Sequence, residues 1–154
     1  MKRVYVNEKW CLGCHLCEYY CAFVGTSGSG VTKGDDMARA LKGIKINPKI
    51  RIEEKDGISF AVSCRHCKEP LCVKGCITGA LTITDGVIKI NRDRCVSCYT
   101  CILSCPYGAV SPSPDGAVQK CELCVSTAAA KAASGTPACV KGCPNNAIVF
   151  EERG

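Results

Sequence analysis

Aromatic residues are scarce in this chain: one Trp, five Tyr and three Phe among 154 residues. A chain of that length has room for one ordinary domain or two very small ones, and so few rings leave little to fill a core. Long apolar runs are missing as well. None approaches the ~20 residues needed to cross a bilayer, so direct membrane insertion is not expected. The opening residues Met1-Lys2-Arg3-Val4-Tyr5-Val6-Asn7-Glu8 carry neither an apolar signal region nor a twin-arginine signal. A cytoplasmic, reducing location is the expectation. Nor does a phosphate-binding glycine loop precede a helical pattern, which removes the usual nucleotide and flavin sites.

Cysteine is abundant instead, with sixteen residues, far above average usage. In a reducing compartment that density favours metal over disulfides. The apolar fraction of 47% counts those cysteines; without them about 56 apolar residues remain, too few for an ordinary core. Inorganic centres are therefore expected to serve as filling and cross-links, with an apoprotein that is largely unfolded.

The cysteines fall into four groups of four. The third, Cys95-Val-Ser-Cys98-Tyr-Thr-Cys101-Ile-Leu-Ser-Cys105-Pro106, has the spacing C-x2-C-x2-C-x3-C-P. Such a run wraps one four-iron, four-sulfur cluster with three thiolates and sends its fourth cysteine to a second cluster. A partner motif is therefore required. The first group, Cys11, Cys14, Cys17 and Cys21, repeats the spacing but is followed by Ala22. The second is Cys64, Cys67, Cys72 and Cys76, followed by Ile77; the fourth is Cys121, Cys124, Cys139 and Cys143-Pro144. Each oxidised cluster carries about −2, so four would take the formal charge of +6 to about −2. The basic residues then offset the cofactors, and a nucleic-acid partner is not implied.

Between the groups the pattern is mostly short strands and turns. Val4 and Val6 alternate with polar neighbours in a strand ending at Trp10. Residues 25–36 are rich in glycine and serine and read as a loop, and Met37–Leu41 as a brief helix. Ile44, Ile46, Ile50 and Ile52, then Ile58, Phe60 and Val62, alternate on either side of Lys55-Asp56-Gly57, a hairpin pattern. Asp85-Gly86 turns one short strand into Val87–Ile90, Ser111–Gly116 is a turn-rich break, and Val125–Ala133 has helical composition. Ile148-Val149-Phe150 closes the chain as a strand. An internal repeat, Cys-x-x-(Gly/Asn)-Ala-apolar, recurs from Cys76, Cys105 and Cys143. It predicts a turn, a small residue against a metal centre and a strand.

On Cys64-Arg-His-Cys67-Lys-Glu-Pro-Leu-Cys72-Val-Lys-Gly-Cys76, the run Cys95 to Pro106, Lys120-Cys121-Glu-Leu-Cys124 and Pro137-Ala-Cys139-Val-Lys-Gly-Cys143-Pro144, the chain resembles the four-cluster ferredoxin-type electron-transfer subunits. These accompany molybdenum and tungsten oxidoreductases of the dimethyl sulfoxide reductase and formate dehydrogenase type, and nickel carbon monoxide dehydrogenase. The resemblance implies that the second group pairs with the third and the first with the fourth. One cluster would then sit on Cys64, Cys67, Cys72 and Cys105, and its neighbour on Cys76, Cys95, Cys98 and Cys101. A third would sit on Cys11, Cys14, Cys17 and Cys143, and the fourth on Cys21, Cys121, Cys124 and Cys139. The implied fold is α+β: two bacterial-ferredoxin-like modules with short antiparallel strands and small helices around paired iron–sulfur clusters. The inner module would span 58–110, the outer would join 1–24 to 117–154, and 25–57 would be a loop and hairpin insertion.

With four thiolates per cluster no iron keeps an open site for substrate, so a non-catalytic role follows. Single electrons would pass between a catalytic partner and another redox subunit or carrier. That partner is expected to be a molybdenum or tungsten enzyme, carbon monoxide dehydrogenase, a hydrogenase or a flavin subunit. The alternatives are a free-standing polyferredoxin and a zinc-binding structural protein. Zinc sites also use C-x2-C pairs, but the x2-x2-x3 run is foreign to paired zinc knuckles. His15 and His66 are expected at the surface or behind the ligands, where they can donate to sulfur. Tyr19, Tyr20, Tyr99 and Tyr107 are expected to shield the clusters. Arg65, Lys68, Lys74, Arg94, Lys120 and Lys141 are expected to raise potentials, steer a partner or simply be solvated.

Overall fold

The protein is described by a computed structural model that covers residues 1–26, 47–125 and 135–153. The loop reading beyond Thr26, the helix at Met37–Leu41, the alternation at Ile44 and Ile46 and all but the first residue of Val125–Ala133 lie outside these residues.

Among the described residues the architecture is α+β and built from very short pieces. Strand β1 (Arg3–Val6) pairs antiparallel with β8 (Ile148–Glu151), tying one end of the chain to the other with Val4 opposite Phe150. Strands β2 (Arg51–Lys55) and β3 (Ile58–Val62) form a hairpin, as do β4 (Leu81–Thr84) with β5 (Val87–Ile90) and β6 (Val110–Pro112) with β7 (Val118–Lys120). No sheet among the described residues has more than two strands. The two Asp-Gly turns have positive φ at both residues, 51° and 76° at Asp56-Gly57 and 52° and 74° at Asp85-Gly86. That geometry twists a hairpin in the same sense as its strands.

Four helices carry the x3 cysteine pairs. Helix α1 (Leu16–Thr26) holds Cys17 and Cys21; α2 (Leu71–Lys74) leads from Cys72 to Cys76; α3 (Thr100–Ser104) leads from Cys101 to Cys105; and α4 (Ala138–Lys141) leads from Cys139 to Cys143. Residues i and i+4 lie on one helical face, so a spacing of three intervening residues stacks two thiols one turn apart. Helix α1 runs on through Gly25 and Thr26, where the sequence reads the start of the glycine- and serine-rich loop. Its start is fixed by His15, whose carbonyl accepts from the Glu18 and Tyr19 amides and whose Nδ1 lies 2.7 Å from Glu18 Oε2. Ala22, where proline follows Cys105 and Cys143, sits inside this helix and is buried; a proline there would break it.

The repeated tails fold alike. Turns at Ile77-Thr78, Pro106-Tyr107 and Pro144-Asn145 are each followed by a residue of positive φ: Gly79 at 64°, Gly108 at 59° and Asn146 at 51°. Glycine and asparagine enter that left-handed region most readily, which explains their place in the motif. Ile77 makes the same turn without proline. A second repeat goes unnoticed in the sequence. Asn7 and Asn91 each cap a short 3-10 turn, Glu8–Trp10 and Arg92–Arg94, that delivers the chain to Cys11 and Cys95. Their amides donate to matching carbonyls, Ala147 and Ala80, at 2.8 Å in both cases.

Two buried clusters form the core, and thiols are part of both. One gathers Val4, Ile50, Ala61, Val87, Leu123 and Ile148 with Cys17, Cys64, Cys121 and Cys139. The other gathers Leu81, Ile88, Val110 and Val118 with Cys72 and Cys101. Hairpin β2–β3 thus packs with the two chain ends, and β7 with the Cys72–Cys105 region. On β3 the alternating Ile58 and Phe60 are half-exposed while Ala61 faces the core.

Candidate metal centres

All sixteen cysteines are free of disulfides, and eight of them line two cavities in fours. Cys11, Cys14, Cys17 and Cys143 line a small cavity with Leu12, Ile52 and Ala147. Cys76, Cys95, Cys98 and Cys101 line another with Val96, Val118 and Ala80. The two cavities match position by position, Ala147 answering Ala80 and Ile52 answering Val118. In each, the repeat's alanine supplies a wall small enough to leave the space open.

The other eight thiols are recognised by their action on one another. Burial pushes the Cys64 thiol up, Lys120 opposes this, and Cys105 and Cys67 add to it. Burial, then Cys64 and Cys105, do the same to Cys72. Burial pushes Cys121 up to about 12, with Cys21, Cys64 and Cys124 contributing. Cys139 is raised well above the ordinary thiol range by burial and then by Cys121, Cys21 and Cys124. Cys64, Cys72 and Cys105 thus act on one another together with Cys67, and Cys121 and Cys139 are acted on by Cys21 and Cys124.

Interactions also cross between these groups: Cys17 acts on Cys139, and Cys64 acts on Cys121. Of the sixteen cysteines only Cys14 and Cys98 are exposed, one lining each cavity.

The donor set suits an iron–sulfur cluster. Cys17 too is pushed up to about 12, first by burial and then by the Glu18 carboxylate. Neutral thiols are thus favoured in the bare pocket, and only a cation can hold four thiolates there together. Backbone amides are already aimed at sulfur: Lys49 to Cys21 at 3.2 Å, Ala109 to Cys105 at 3.4 Å and Leu123 to Cys121 at 3.4 Å. At Cys76 and Cys98 hydrogen bonding prevails and the thiol is lowered. Burial opposes it at Cys76, where amides around Leu81 and the Thr78 hydroxyl win; at Cys98 the Thr100 amide and hydroxyl dominate. Among the described residues no three His, Cys, Asp or Glu side chains converge on a single metal ion.

Turning the chain between paired cysteines demands left-handed backbone at Gly13 (64°), His66 (46°), Ser97 (58°) and Leu123 (54°). A Cβ on Gly13 would lie 2.7 Å from Glu54 Oε1 and 2.9 Å from Ser59 Oγ, whereas one on Gly57 would meet nothing within 4 Å. Gly13→Ala should therefore lower the melting temperature clearly more than Gly57→Ala, which carries only the backbone term of about 1–2 kcal/mol. Equal shifts in thermal melts of the two variants would contradict that packing.

The histidines divide. His15 is half-exposed and paired with Glu18. His66 is fully buried, accepts the Ile88 amide at Nδ1 over 3.0 Å, and is pushed down to about 3 by burial and by the Lys120 and Arg3 charges. It is neutral, so its proton is on Nε2, a buried atom with no partner in the protein. Its place between Cys64 and Cys67 makes sulfur the fitting acceptor. Among the four tyrosines, Tyr99 lines a cysteine cavity. Tyr107 stacks under Arg65 at 4.7 Å in an open cleft beside Cys67. Lys74 pairs with Glu69 at the surface. Lys120, far from being solvated, is 1% exposed, which nothing in the sequence signals.

Residues 56–153 match the model of the 4Fe-4S dicluster domain, and residues 8–24 match that of a 4Fe-4S binding domain. The chain belongs to the 4Fe-4S dicluster family. It is 33% identical over 157 residues to an iron-sulfur protein of Rhodospirillum rubrum, covering 94% of this chain and 79% of that one. It is 31% identical to the thiosulfate reductase electron transfer subunit PhsB of Salmonella typhi, covering 94% and 72%. It is 30% identical to the putative oxidoreductase AegA of Escherichia coli, of which it spans only 21%. No helix among the described residues is long and apolar enough to cross a membrane.

Proposed function

We propose that the chain holds four 4Fe-4S clusters and relays single electrons between a catalytic oxidoreductase subunit and another redox subunit or carrier. Cluster one sits on Cys11, Cys14, Cys17 and Cys143, and cluster two on Cys64, Cys67, Cys72 and Cys105. Cluster three sits on Cys76, Cys95, Cys98 and Cys101, and cluster four on Cys21, Cys121, Cys124 and Cys139. The ligand-bearing part of the inner module is 58–110, and that of the outer joins 1–24 to 117–154. When bound, the clusters supply one-electron redox chemistry, and the protein supplies spacing, insulation and fixed charge. Full thiolate coordination leaves no open iron, so the chain itself transforms no substrate.

The observation that supports this reading is a pair of cysteine-lined cavities, each with one exposed cysteine, Cys14 in one and Cys98 in the other, as the two terminals of a conductor would have. The half-exposed Leu12 and Val96 beside those cysteines suit contact with partner proteins. The relative named as a thiosulfate reductase electron transfer subunit supports a catalytic partner of oxidoreductase type.

Metal analysis of anaerobically prepared protein should give about sixteen iron atoms per chain, and reductive titration about four electrons. Values near eight and two would leave one module unfilled and sink the four-centre reading. Zinc in place of iron would sink the electron-transfer reading altogether.

A further inference from the structure

Next to Cys121 lies a charge that the fold goes to some length to bury. Lys120, at the end of β7, is the bulkiest of the fully buried side chains. Its Nζ donates to the carbonyl of Ile88 and, over 2.6 Å, to that of Cys121. The other polar group of Ile88, its amide, is taken by His66. One residue of β5 is thus held on both sides, from group two by a neutral imidazole and from group four by an ammonium. No carboxylate stands within ion-pair distance of Lys120 among the described residues. Two carbonyl dipoles do not repay the burial of a full cation, which costs several kcal/mol. Negative charge close by must do so, and the groups at hand are thiolates: Lys120 acts on Cys64 and Cys72, and Cys121 is the next residue along the chain.

We propose that Lys120 is a positioning residue for electron transfer, a fixed positive charge shared by the two middle clusters, those of Cys64 and Cys121, that raises their potentials relative to the two end clusters. This rests on the cluster assignment above. In the hop across the module boundary one electron leaves the Cys64 cluster and arrives at the Cys121 cluster, or the reverse. No bond breaks and no proton moves in the step. The Lys120 charge favours the reduced form on both sides of the gap, so it does not oppose the crossing in either direction. His66, fixed by Ile88, keeps a buried Nε2–H on the other side of its ring.

The test is a redox titration of anaerobic holoprotein followed by electron paramagnetic resonance, for wild type, Lys120→Met, Lys120→Gln and Lys120→Arg. Removing the charge should lower the reduced-to-oxidised ratio of two of the four clusters about tenfold at a given potential, which for one electron is 59 mV. The end clusters should stay unmoved, and Lys120→Arg should restore the wild-type values. Unchanged potentials in fully loaded Lys120→Met, or an equal shift of all four clusters, would overturn the proposal. Should neither neutral variant take up iron, wild type labelled with ε-15N-lysine decides: nitrogen coupling on the middle clusters is expected, and its absence overturns the proposal. Wild type without iron and sulfide would instead overturn the cluster reading itself, so the two failures are told apart before any potential is measured.

Discussion

Stripping iron with a chelator under reducing, anaerobic conditions is expected to unfold the protein. The far-ultraviolet signal of helix and strand should vanish in the same transition as the visible iron–sulfur absorption. Each structured piece is too small to survive alone. Every described sheet has two strands, and an isolated two-stranded hairpin is marginal in water. Helices α2, α3 and α4 have four or five residues, far below the ~12–15 at which a free helix begins to persist. The buried cores count Cys17, Cys64, Cys72, Cys101, Cys121 and Cys139 among their members, so metal loss removes their organising centres. The whole folding free energy, about 5–15 kcal/mol for an ordinary domain, is at stake rather than a fraction of it. A chelated protein that keeps its circular dichroism and melts cooperatively would show that the apolar residues suffice.

The second large effect concerns a single sulfur. Cys105→Ser should damage the cluster built on Cys64, Cys67 and Cys72, although Cys105 follows directly on the Cys95–Cys101 run. The Cys105 thiol acts on Cys64 and Cys72, whereas Cys101 answers to burial and then to Cys76 and Cys95. The spectrum and potentials of Cys105→Ser should therefore match those of Cys67→Ser, with up to four iron atoms lost. They should differ from those of Cys98→Ser. If Cys105→Ser instead reproduces Cys98→Ser, the helical turns do not cross between quartets and the assignment fails.

Much of this arrangement was legible in the residues because the constraints are local. Asp56-Gly57 and Asp85-Gly86 name their turn, and Cys-x-x-(Gly/Asn)-Ala names a left-handed third residue and a small wall. What stayed hidden depends on partners far away in the chain. Helix α1 buries Cys17 and Ala22, and cysteine read as a ligand says nothing about helical period. On β3 the alternation of Ile58, Phe60 and Val62 marked a strand correctly but pointed to the wrong face, since Ala61 is the residue that packs inward. Small side chains win there because the opposing space is filled by thiols. Lys120 is the extreme case: lysine in a sequence reads as solvated, and only the convergence of β5, His66 and Cys121 reveals a cation kept from water.

The stacking of two thiols on each helical turn has a mechanical consequence. Four residues advance about 6 Å along a helix axis, and this covalent interval separates Cys17 from Cys21 in α1, while one short helical turn ties Cys72, Cys101 and Cys139 to Cys76, Cys105 and Cys143. With the clusters assigned as proposed, the spacing of neighbouring clusters would be held by backbone, not by the looser packing of one segment on another. Thermal breathing, a longer surface loop or the tug of a docked neighbour can distort the exterior while the gap an electron must leap keeps its length.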